Sequence, residues 1–396
     1  MIAPEPFFQS RGTPFSVFHR CKTLSKLGYK IDLLVYDIGK TVKIKNTCII
    51  RSKIPFMKIK RVKIGPSIKK IFLDFFMLLD ALTLMLKNKD EYEVIHTHEE
   101  AGIIGYFLKI IFRKKLLHDM HSSWPQQITN YGFMKNNCAV VKIMEILERI
   151  VVRKSDAIIA ICPNLGEIAR RYDKDKKIFI IENVPLTENY RNISKREINN
   201  LKKKLNLHEN KVVVYTGSLG PQQNIELLIN SAKYIKREKG DKKIKFLIVG
   251  SWSKEYVSNL KKMTKRLKVN DMFIFTGQKP VEEMPIYYSI ADILVSPRVA
   301  GTNVPLKIYS YLNSGKPIVA TKVLTHTQVL NDEVAILTEP EPKAFAEGIL
   351  ILLKDKKLRE ELGRNAKRLI EKEYSYEKYL MKTKRIYEYL RNGLEH

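Results

Sequence analysis

The sequence is poor in cysteine, and the few cysteines show no pattern. Cys21, Cys48, Cys138 and Cys162 are scattered through 396 residues. Zinc motifs and disulfide frameworks both need cysteines at short, paired spacings, so neither is indicated here. We therefore expect a protein of a reducing compartment, with no structural metal and no disulfide scaffold.

Long apolar runs are also missing. The most apolar stretch, residues 71–86, contains Asp74 and Asp80 and is shorter than the roughly 20 residues that cross a bilayer. The first residues, MIAPEPFFQSRG, lack the basic start and apolar run of a secretory signal. We expect a cytoplasmic protein that can lie peripherally on the inner face of a membrane.

Acidic residues are scarce relative to basic ones. The sequence holds 42 acidic and 71 basic residues, which gives a formal net charge of +29. Such an excess indicates an anionic partner, such as a membrane, a nucleic acid or a nucleotide diphosphate. Because no RNP, zinc-finger or helix–turn–helix pattern accompanies the charge, we expect no nucleic-acid partner.

The pattern that is present is an alternation of short apolar strands with amphipathic helices, repeated in both halves of the chain. We expect irregular strand from residue 2 to 8, a helix opened by Pro14, and strands over 42–51 and 62–64. Such alternation predicts an α/β fold, and the length exceeds one comfortable core. The sequence therefore predicts two doubly wound Rossmann-like domains, residues 1–187 and 188–375, facing each other across a ligand-binding cleft.

Residues 297–321, PRVAGTNVPLKIYSYLNSGKPIVAT, carry the most informative pattern. We expect a loop at 301–303, then a helix with Pro305 at its first position, capped by Thr302 or Asn303 and ended by Gly315. A helix N-terminus at the edge of a parallel sheet binds phosphate, and Lys307 would add a positive charge there. An ordinary strand–helix–strand unit with a solvated lysine would show the same pattern.

Polar residues follow two apolar strands of the first half. His98 and Glu99 come after residues 94–96, and His121 and Ser122 come after residues 116–120. Because parallel strands end at one edge of a sheet, the two imidazoles should converge there. A histidine in such a place is also commonly a satisfied loop residue.

Two further motifs bear on ligands. The first strand–helix turn has one glycine, Gly12, beside Arg11, so it is not a dinucleotide-binding G-x-G-x-x-G. Arg11 and Gly12 either face a ligand or simply form a turn. The D-x-D of Asp173 and Asp175 lies far from the 297–321 element, and we interpret it as a solvated turn.

These motifs together resemble the family-4 glycosyltransferases of the two-Rossmann-domain (GT-B) type. The resemblance rests on RGTP near the start, HTHE at 96–99, YTGSL at 215–219 and the loop–helix–GKPIVAT element. It implies metal-independent, cofactor-free transfer of a sugar from a nucleotide diphosphate sugar, with retained anomeric configuration. It also implies that the first domain takes the acceptor, that the second binds the donor, and that the final helix, 376–396, folds back on the first domain.

The resemblance assigns roles to residues. His98 and Glu99 are the expected catalytic pair, and Arg11, His121 and Ser122 are candidates on the acceptor side. The expected donor-binding residues are Gly12, Gly217, Ser218, Arg298, Thr302, Asn303, Pro305, Lys307 and Ser310. Tyrosines at 376, 379, 387 and 389 would suit docking of the last helix, although a free amphipathic tail would look the same.

Four positions depart from the family pattern. Thr302 and Ser310 stand where the family usually has glutamates, and Ser218 and Gln223 stand where it usually has arginine and lysine. We expect Arg298 and Lys307 to replace the missing cations, Gly217 and Ser218 to offer backbone N–H groups to the β-phosphate, and Ser310 to bind a ribose hydroxyl. The alternative is a catalytically reduced protein that only binds nucleotide sugars or glycans.

Basic residues and phenylalanines alternate in the first half. The cations are the run at 58–63, Lys69, Lys70 and residues 113–115, and the phenylalanines are Phe56, Phe72, Phe75, Phe76, Phe107 and Phe112. Such a mixture suits an anionic bilayer surface, although core packing explains most of the phenylalanines more simply. Membrane contact would make the acceptor a glycan or lipid-linked glycan of the cell envelope.

Overall fold

The structure is a computed structural model that describes residues 1–8, 12–54, 59, 62, 68–130, 138–185, 193–239 and 243–392. Within it the chain divides into two compact units. Unit 1 comprises Met1–Asn183 and Glu377–His396, and unit 2 comprises Val184–Tyr376. The division falls a few residues before the boundary at 187 predicted from the sequence.

Unit 1 is built on a seven-stranded parallel sheet in the order β3-β2-β1-β4-β5-β6-β7. Its strands are β1 (Ile2–Ala3), β2 (Ile31–Tyr36), β3 (Thr47–Ser52), β4 (Val94–His98), β5 (Lys115–Met120), β6 (Ala157–Ala160) and β7 (Ile178–Ile180). Its helices are α1 (Gly12–Lys26), α2 (Ile68–Asn88), α3 (Ala101–Phe112), α4 (Trp124–Asn130), α5 (Ala139–Lys154), α6 (Pro163–Tyr172) and, from the chain end, α15 (Tyr376–Asn392).

Unit 2 is built on a six-stranded parallel sheet in the order β10-β9-β8-β11-β12-β13. Its strands are β8 (Lys211–Thr216), β9 (Ile244–Val249), β10 (Phe273–Gly277), β11 (Ile293–Ser296), β12 (Ile318–Thr321) and β13 (Ile336–Thr338). Its helices are α7 (Lys195–Lys204), α8 (Ile225–Lys239), α9 (Lys254–Arg266), α10 (Met284–Ser289), α11 (Leu306–Ser314), α12 (Leu324–Thr327), α13 (Pro342–Lys354) and α14 (Lys356–Glu373).

Most residues of the central strands are apolar because helices cover both faces of each sheet, although β4 and β5 also carry buried histidines and Asp119. Val212, Val213, Val214 and Tyr215 of β8, for example, are fully buried. Strand order reverses beside β1 in unit 1 and beside β8 in unit 2, and a doubly wound sheet binds ligands beyond the carboxyl ends of its strands at such a point. The predicted α/β fold class with two Rossmann-like domains is confirmed.

Several predicted boundaries were wrong. Regular strand at the start covers only Ile2–Ala3, since Pro4 and Pro6 lack the N–H that a ladder needs. Helix α1 begins at Gly12, two residues before Pro14, and the strand expected over 42–51 is Thr47–Ser52. Val62 is not in a strand, whereas residues 63 and 64 lie outside the described residues.

Helix α15 packs its tyrosines unequally on unit 1. Tyr379 and Tyr387 are buried, whereas Tyr389 is exposed although its ring contacts Phe179. Tyr379 lies under the guanidinium of Arg20, 4.9 Å from the ring centroid. The buried tyrosines face the polar end of the unit 1 sheet.

Candidate functional site

Helix α11 heads the candidate phosphate site at the carboxyl edge of the unit 2 sheet. Its N-cap is Pro305, with φ −62° and ψ 129°, and the Pro305 side chain makes no capping hydrogen bond. The prediction that Thr302 or Asn303 caps this helix, with Pro305 inside it, was therefore wrong. Gly315, with φ 65°, ends the helix as predicted. The Ile308 N–H donates to the Pro305 carbonyl at 2.9 Å, and the positive end of the helix dipole lies at this edge of the sheet.

Lys307 in the first turn of α11 is buried rather than solvated. Its Nζ donates to Oε1 of Gln223 at 2.9 Å and lies 3.8 Å from the centroid of the Tyr215 ring. Burial, and then the charge of Arg298, hold the pKa of Lys307 well below its usual range. The interpretation of Lys307 as an ordinary solvated lysine was therefore wrong.

Arg298 lies in the loop between β11 and α11. Its Nε donates to the Ala300 carbonyl at 2.6 Å, and its Nη2 donates to Oδ1 of Asn303 at 3.2 Å. Gly301 has φ 117°, and a side chain there would collide with the Arg298 guanidinium. The loop thus holds the Arg298 guanidinium near Lys307. In the same loop, the Thr302 carbonyl accepts a hydrogen bond from Gln328 Nε2 at 2.9 Å.

The turn after β8 closes the other side of this site. The Gly217 N–H donates to the Val249 carbonyl at 3.0 Å, so the prediction that this N–H serves a phosphate was wrong. Ser218 is exposed, and its carbonyl accepts from the Tyr215 hydroxyl at 2.5 Å. Gly217 adopts φ 125°, and a β-carbon there would lie 3.7 Å from Lys307 Nζ.

Ser310 lies one turn further along α11 and is buried. Its neighbourhood includes the Tyr288 hydroxyl, and their hydrogen bond opposes the rise in the pKa of Tyr288 that burial causes. The Ser310 hydroxyl is thus engaged within the helix layer. Its contact with a ribose hydroxyl stays a prediction.

His326, which sequence reasoning missed, fixes the ends of β11 and β12. Its Nδ1 donates to the Thr321 carbonyl at 2.8 Å, so its Nε2 accepts from Ser296 Oγ at 2.9 Å. Burial lowers the pKa of His326 to about 3, which keeps it neutral. A lone histidine in a short helix gives no sequence signal of this role.

In unit 1, the two predicted imidazoles do converge. His98 ends β4 and His121 follows β5, and their Nδ1 and Nε2 atoms are 3.1 Å apart. Burial holds the pKa of His98 well below its usual range, so its imidazole is neutral. The predicted convergence at one sheet edge is confirmed, and it follows from the parallel register that pairs His98 with Asp119.

Glu99 turns the chain out of β4 with φ 48°. Its Oε2 accepts from Ser122 Oγ at 2.7 Å, and Ser122 in turn accepts from Gln127 Nε2. Burial raises the pKa of Glu99 to about 7, so this carboxyl titrates near neutrality. Glu99 of the expected catalytic pair and Ser122, an acceptor-side candidate, are thus in direct contact.

Asp119 and Arg20 form a buried ion pair that sequence reasoning missed. The Arg20 Nε and Nη2 donate to Oδ2 of Asp119 at 3.2 and 3.0 Å. Arg20, His121 and His96 hold the pKa of Asp119 well below its usual range against the opposing effect of burial. The available signals were an aspartate inside the apolar strand LLHDM and an arginine on the apolar face of α1.

Helix α15 completes this polar cluster. Thr383 Oγ1 accepts from Arg20 Nη1 at 3.0 Å, and the Tyr387 hydroxyl lies 2.7 Å from Nδ1 of His96. Burial lowers the pKa of His96 to about 4, so His96 is neutral. The tyrosine hydroxyl can therefore donate to Nδ1 while Nε2–H faces Asp119 Oδ2 at 3.6 Å.

His96, His98 and Asp119 also meet the geometric minimum for a metal site. One potential ligand atom from each lies within 4.8 Å of the other two. The Arg20 guanidinium, however, occupies Oδ2 of Asp119, and a divalent cation beside it would face a buried positive charge. The donor set therefore fits an ion pair with neutral imidazoles better than it fits a metal.

Gly12 heads α1 and is exposed, with open space where a β-carbon would be. Arg11 lies outside the described residues.

The D-x-D forms a turn, since the Asp175 N–H donates to Oδ1 of Asp173 at 3.2 Å. The structure thus gathers Gly217, Arg298, Asn303 and Lys307 in unit 2, and His98, Glu99, His121 and Ser122 in unit 1.

Both halves of the chain match known families. Residues 11–184 match the family described as Glycosyltransferase Family 4, and residues 197–369 match Glycosyl transferases group 1. The chain belongs to the family-4 glycosyltransferases. It is a transferase of the EC 2.4 type with the GT-B fold.

Curated relatives of this glycosyltransferase are distant. It is 24% identical to the alpha-monoglucosyldiacylglycerol synthase of Streptococcus pneumoniae over 247 residues, 60% of this chain and 53% of that enzyme. The match thus spans about half of the streptococcal enzyme. An uncharacterized glycosyltransferase of Methanocaldococcus jannaschii is 26% identical over 75% of each chain.

Solved structures of the same fold cover nearly the whole glycosyltransferase. The sucrose-phosphate synthase of Thermosynechococcus elongatus aligns with a TM-score of 0.79 at 18% identity, covering 99% of each chain. Anabaena HepE in complex with UDP-glucose aligns with a TM-score of 0.74 at 14% identity, covering 98% of each chain. Among the described residues, no helix is both long and apolar enough to cross a bilayer.

Proposed function

We propose that this glycosyltransferase takes its sugar from a nucleotide diphosphate sugar held by unit 2, without a bound metal or cofactor. The observation that carries the proposal is the buried amino group of Lys307, 2.9 Å from Gln223 Oε1. Gln223 stands where the family usually has a lysine, so Lys307 brings an ionisable amino group to the place that the substitution left neutral. Because a bound diphosphate would raise the lowered pKa of Lys307, this amino group can supply positive charge when the donor is bound.

The leaving diphosphate gathers negative charge as the bond to the sugar breaks. Lys307, Arg298 and the N-terminal end of α11 would supply positive charge and donors for it. Such groups stabilise the charge of the leaving group more than that of the bound donor, which is what accelerates the step. HepE was crystallised with UDP and with UDP-glucose, which supports a donor of this chemical class.

His98 and Glu99 are the proposed groups beside the transferred sugar in unit 1. A neutral His98 can hydrogen-bond sugar hydroxyls, and a Glu99 carboxyl with a pKa near 7 can donate or accept a proton. Arg11, Gly12, His121 and Ser122 complete the proposed set on this side. Transfer is proposed to retain the anomeric configuration, as the family resemblance implies.

The acceptor is proposed to be a glycan or lipid-linked glycan of the cell envelope, reached from the cytoplasmic side. The streptococcal relative is named for a glucosyldiacylglycerol product, which supports a lipid-linked acceptor. The rival function is nucleotide-sugar or glycan binding without turnover. The neutral residues Ser218, Gln223, Thr302 and Ser310, at positions where the family usually has charged residues, favour that rival.

A screen of UDP- and GDP-sugars for acceptor-independent hydrolysis tests the proposal. We expect slow release of the nucleoside diphosphate from at least one donor, and loss of that release in Lys307→Ala. Lys343→Ala, an exposed lysine on α13 of the same unit, serves as the control. Tight donor binding with no turnover of any donor, with or without membrane extract as an acceptor source, would establish the binding protein instead.

A further inference from the structure

Four helices of unit 1 cover the same side of its sheet. The chain passes from β3 to β4, β5, β6 and β7 in one direction across the sheet, so the right-handed crossovers between them put α2, α3, α5 and α6 on one face. Within this layer α3 contacts both α2 and α5. Their outward sides therefore form one continuous surface, here called the α2–α3–α5 face.

The α2–α3–α5 face is apolar where a solvated surface would be polar. Eleven large apolar side chains on these helices are each between 40% and 70% exposed in the described structure. They are Ile71, Phe72, Phe75, Leu79 and Leu86 of α2, Phe107, Ile110 and Ile111 of α3, and Val140, Ile143 and Ile146 of α5. An exposed apolar patch of this extent marks an interaction site.

Helix α2 has two apolar sides, one packed into the core and one exposed, so the exposure does not result from loose packing. Its buried residues Leu73, Met77, Ala81 and Met85 follow at four-residue spacing and pack into the unit 1 core. The exposed Phe72, Phe75, Leu79 and Leu86 form a separate stripe on the solvent side. The core-packing explanation of Phe72, Phe75 and Phe107 was thus wrong, whereas Phe112 does pack against the core.

Positive charge surrounds this apolar surface. The exposed cations on the three helices or directly after them are Lys69, Lys87, Lys89, Arg113, Lys142, Arg149, Arg153 and Lys154. Of the four acidic residues on these helices, Glu148 is buried, Asp80 is half-buried, Asp74 accepts from the Tyr36 hydroxyl at 2.5 Å, and Glu145 pairs with Arg149. An apolar surface with a cationic rim is complementary to an anionic lipid bilayer.

A second copy of the chain fits the α2–α3–α5 face less well than an anionic bilayer does. Two molecules that each carry a net charge of +29 repel one another, and the cationic rims would meet. No described helix is long and apolar enough to cross a bilayer, so the surface would lie on the membrane. Phenylalanine, isoleucine and leucine side chains would then enter the boundary between headgroups and acyl chains.

We propose that the α2–α3–α5 face docks this glycosyltransferase onto an anionic bilayer. Phe72, Phe75, Ile110 and Ile143 insert below the headgroups, and the surrounding cations contact the lipid charges. This docking extends the proposed function, because it places a lipid-linked acceptor beside unit 1. The binding itself needs neither donor nor turnover, so it can be tested separately.

Co-sedimentation with lipid vesicles tests the docking. The full chain should bind vesicles of phosphatidylglycerol and phosphatidylcholine, bind weakly to pure phosphatidylcholine, and be partly released by salt. The triple variant Phe75→Ser, Ile110→Ser, Ile143→Ser removes one exposed apolar residue from each helix. We expect it to lose at least about tenfold in vesicle affinity while its thermal unfolding stays unchanged.

The matched control is Tyr234→Ser, Ile351→Ser, Met381→Ser, three exposed apolar residues outside the face. This variant should bind vesicles like the wild type. Equal binding by both triple variants, or no binding by the wild type, would overturn the docking. So would a wild-type dimer in sedimentation velocity that the first triple variant converts to monomer without any change in vesicle affinity.

Donor hydrolysis separates this inference from the proposed function. Hydrolysis of a nucleotide sugar without vesicle binding would refute the docking and leave sugar transfer standing. Vesicle binding without turnover of any donor would refute the transfer and leave the docking standing. The first triple variant should hydrolyse donor at the wild-type rate, because the donor residues belong to unit 2.

Discussion

The carboxyl edges of the two sheets differ in how their basic side chains are partnered. In unit 1 the cation, Arg20, is neutralised by Asp119, and a second carboxyl, Glu99, titrates near neutrality. In unit 2 the Lys307 amino group donates to the neutral amide of Gln223, and Arg298 donates to neutral oxygens of Ala300 and Asn303. Unit 1 thus pairs its cation with a carboxylate, whereas these partners of Lys307 and Arg298 in unit 2 are uncharged, as the proposed binding of a diphosphate requires.

The largest expected effect comes from removing the buried carboxylate that pairs with Arg20 in unit 1. Asp119→Asn leaves the Arg20 guanidinium buried without its counter-charge, which should cost about 3–5 kcal/mol of unfolding free energy. Urea unfolding measures this loss. The control Glu145→Gln removes an exposed carboxylate paired with Arg149 and should cost less than about 0.5 kcal/mol. A loss below about 1 kcal/mol in Asp119→Asn would contradict a buried ion pair between Arg20 and Asp119.

The second prediction concerns Glu99, whose pKa is raised from 4.5 to about 7 by burial. The native state holds this proton up to about pH 7, while the unfolded state loses it near pH 4.5, so stability falls as pH rises through this window. Glu99→Gln removes the penalty. It should therefore exceed wild-type stability at pH 8 by up to about 3 kcal/mol, and should not at pH 4.

Urea unfolding at both pH values checks the second prediction. Glu93→Gln, an exposed carboxyl near the start of β4, is the control and should show no pH-dependent gain. A stability difference for Glu99→Gln that is the same at pH 4 and pH 8 would show that Glu99 has an ordinary pKa. The contrast between the two edges would then rest on Asp119 and Arg20 alone.

The third prediction concerns Ser310, which stands where the family usually has a glutamate. It tests whether Ser310 belongs to an active variant site or to a site that has lost activity. Ser310 is buried beside Tyr288, so Ser310→Glu would overfill the site and cost about 1–3 kcal/mol of stability. We expect no gain in donor turnover, measured as release of the nucleoside diphosphate. A clear gain in turnover would favour the reduced-activity alternative and would weaken the view of a self-consistent variant site.

The sequence predicted the elements that depend on local pattern. The apolar strands, the helix ended by Gly315 and the convergence of His98 with His121 all follow from periodicity, a left-handed C-cap and parallel strand ends. The cap of α11 was mispredicted because Thr302 and Asn303 are held instead by Gln328 and Arg298, which lie outside the helix. Local propensity cannot report such competing partners.

The rest depends on contacts between distant residues. Lys307 meets Gln223 from 84 positions away, and Arg20 meets Asp119 from 99 positions away. No periodicity in one sequence marks such pairs. The sequence showed that cations and phenylalanines are mixed in the region of the α2–α3–α5 face. Only the packing of α2 shows which of its two apolar stripes is buried.

The central proposal is that unit 2 binds a nucleotide diphosphate through Lys307, and the affinity for UDP and GDP as a function of pH tests it most directly. Burial lowers the pKa of Lys307, and a bound diphosphate would raise it, so binding should take up a proton. Above about pH 7.5 the terminal phosphate is already ionised. Affinity should then fall with rising pH, by up to about tenfold per pH unit.

Isothermal titration calorimetry in buffers of different ionisation enthalpy measures the affinity and the proton uptake together. In Lys307→Met we expect affinity at least about tenfold lower, no proton uptake and a flat pH profile, whereas Lys343→Met should match the wild type. A wild-type affinity that is independent of pH, without proton uptake and unchanged in Lys307→Met, would contradict the account.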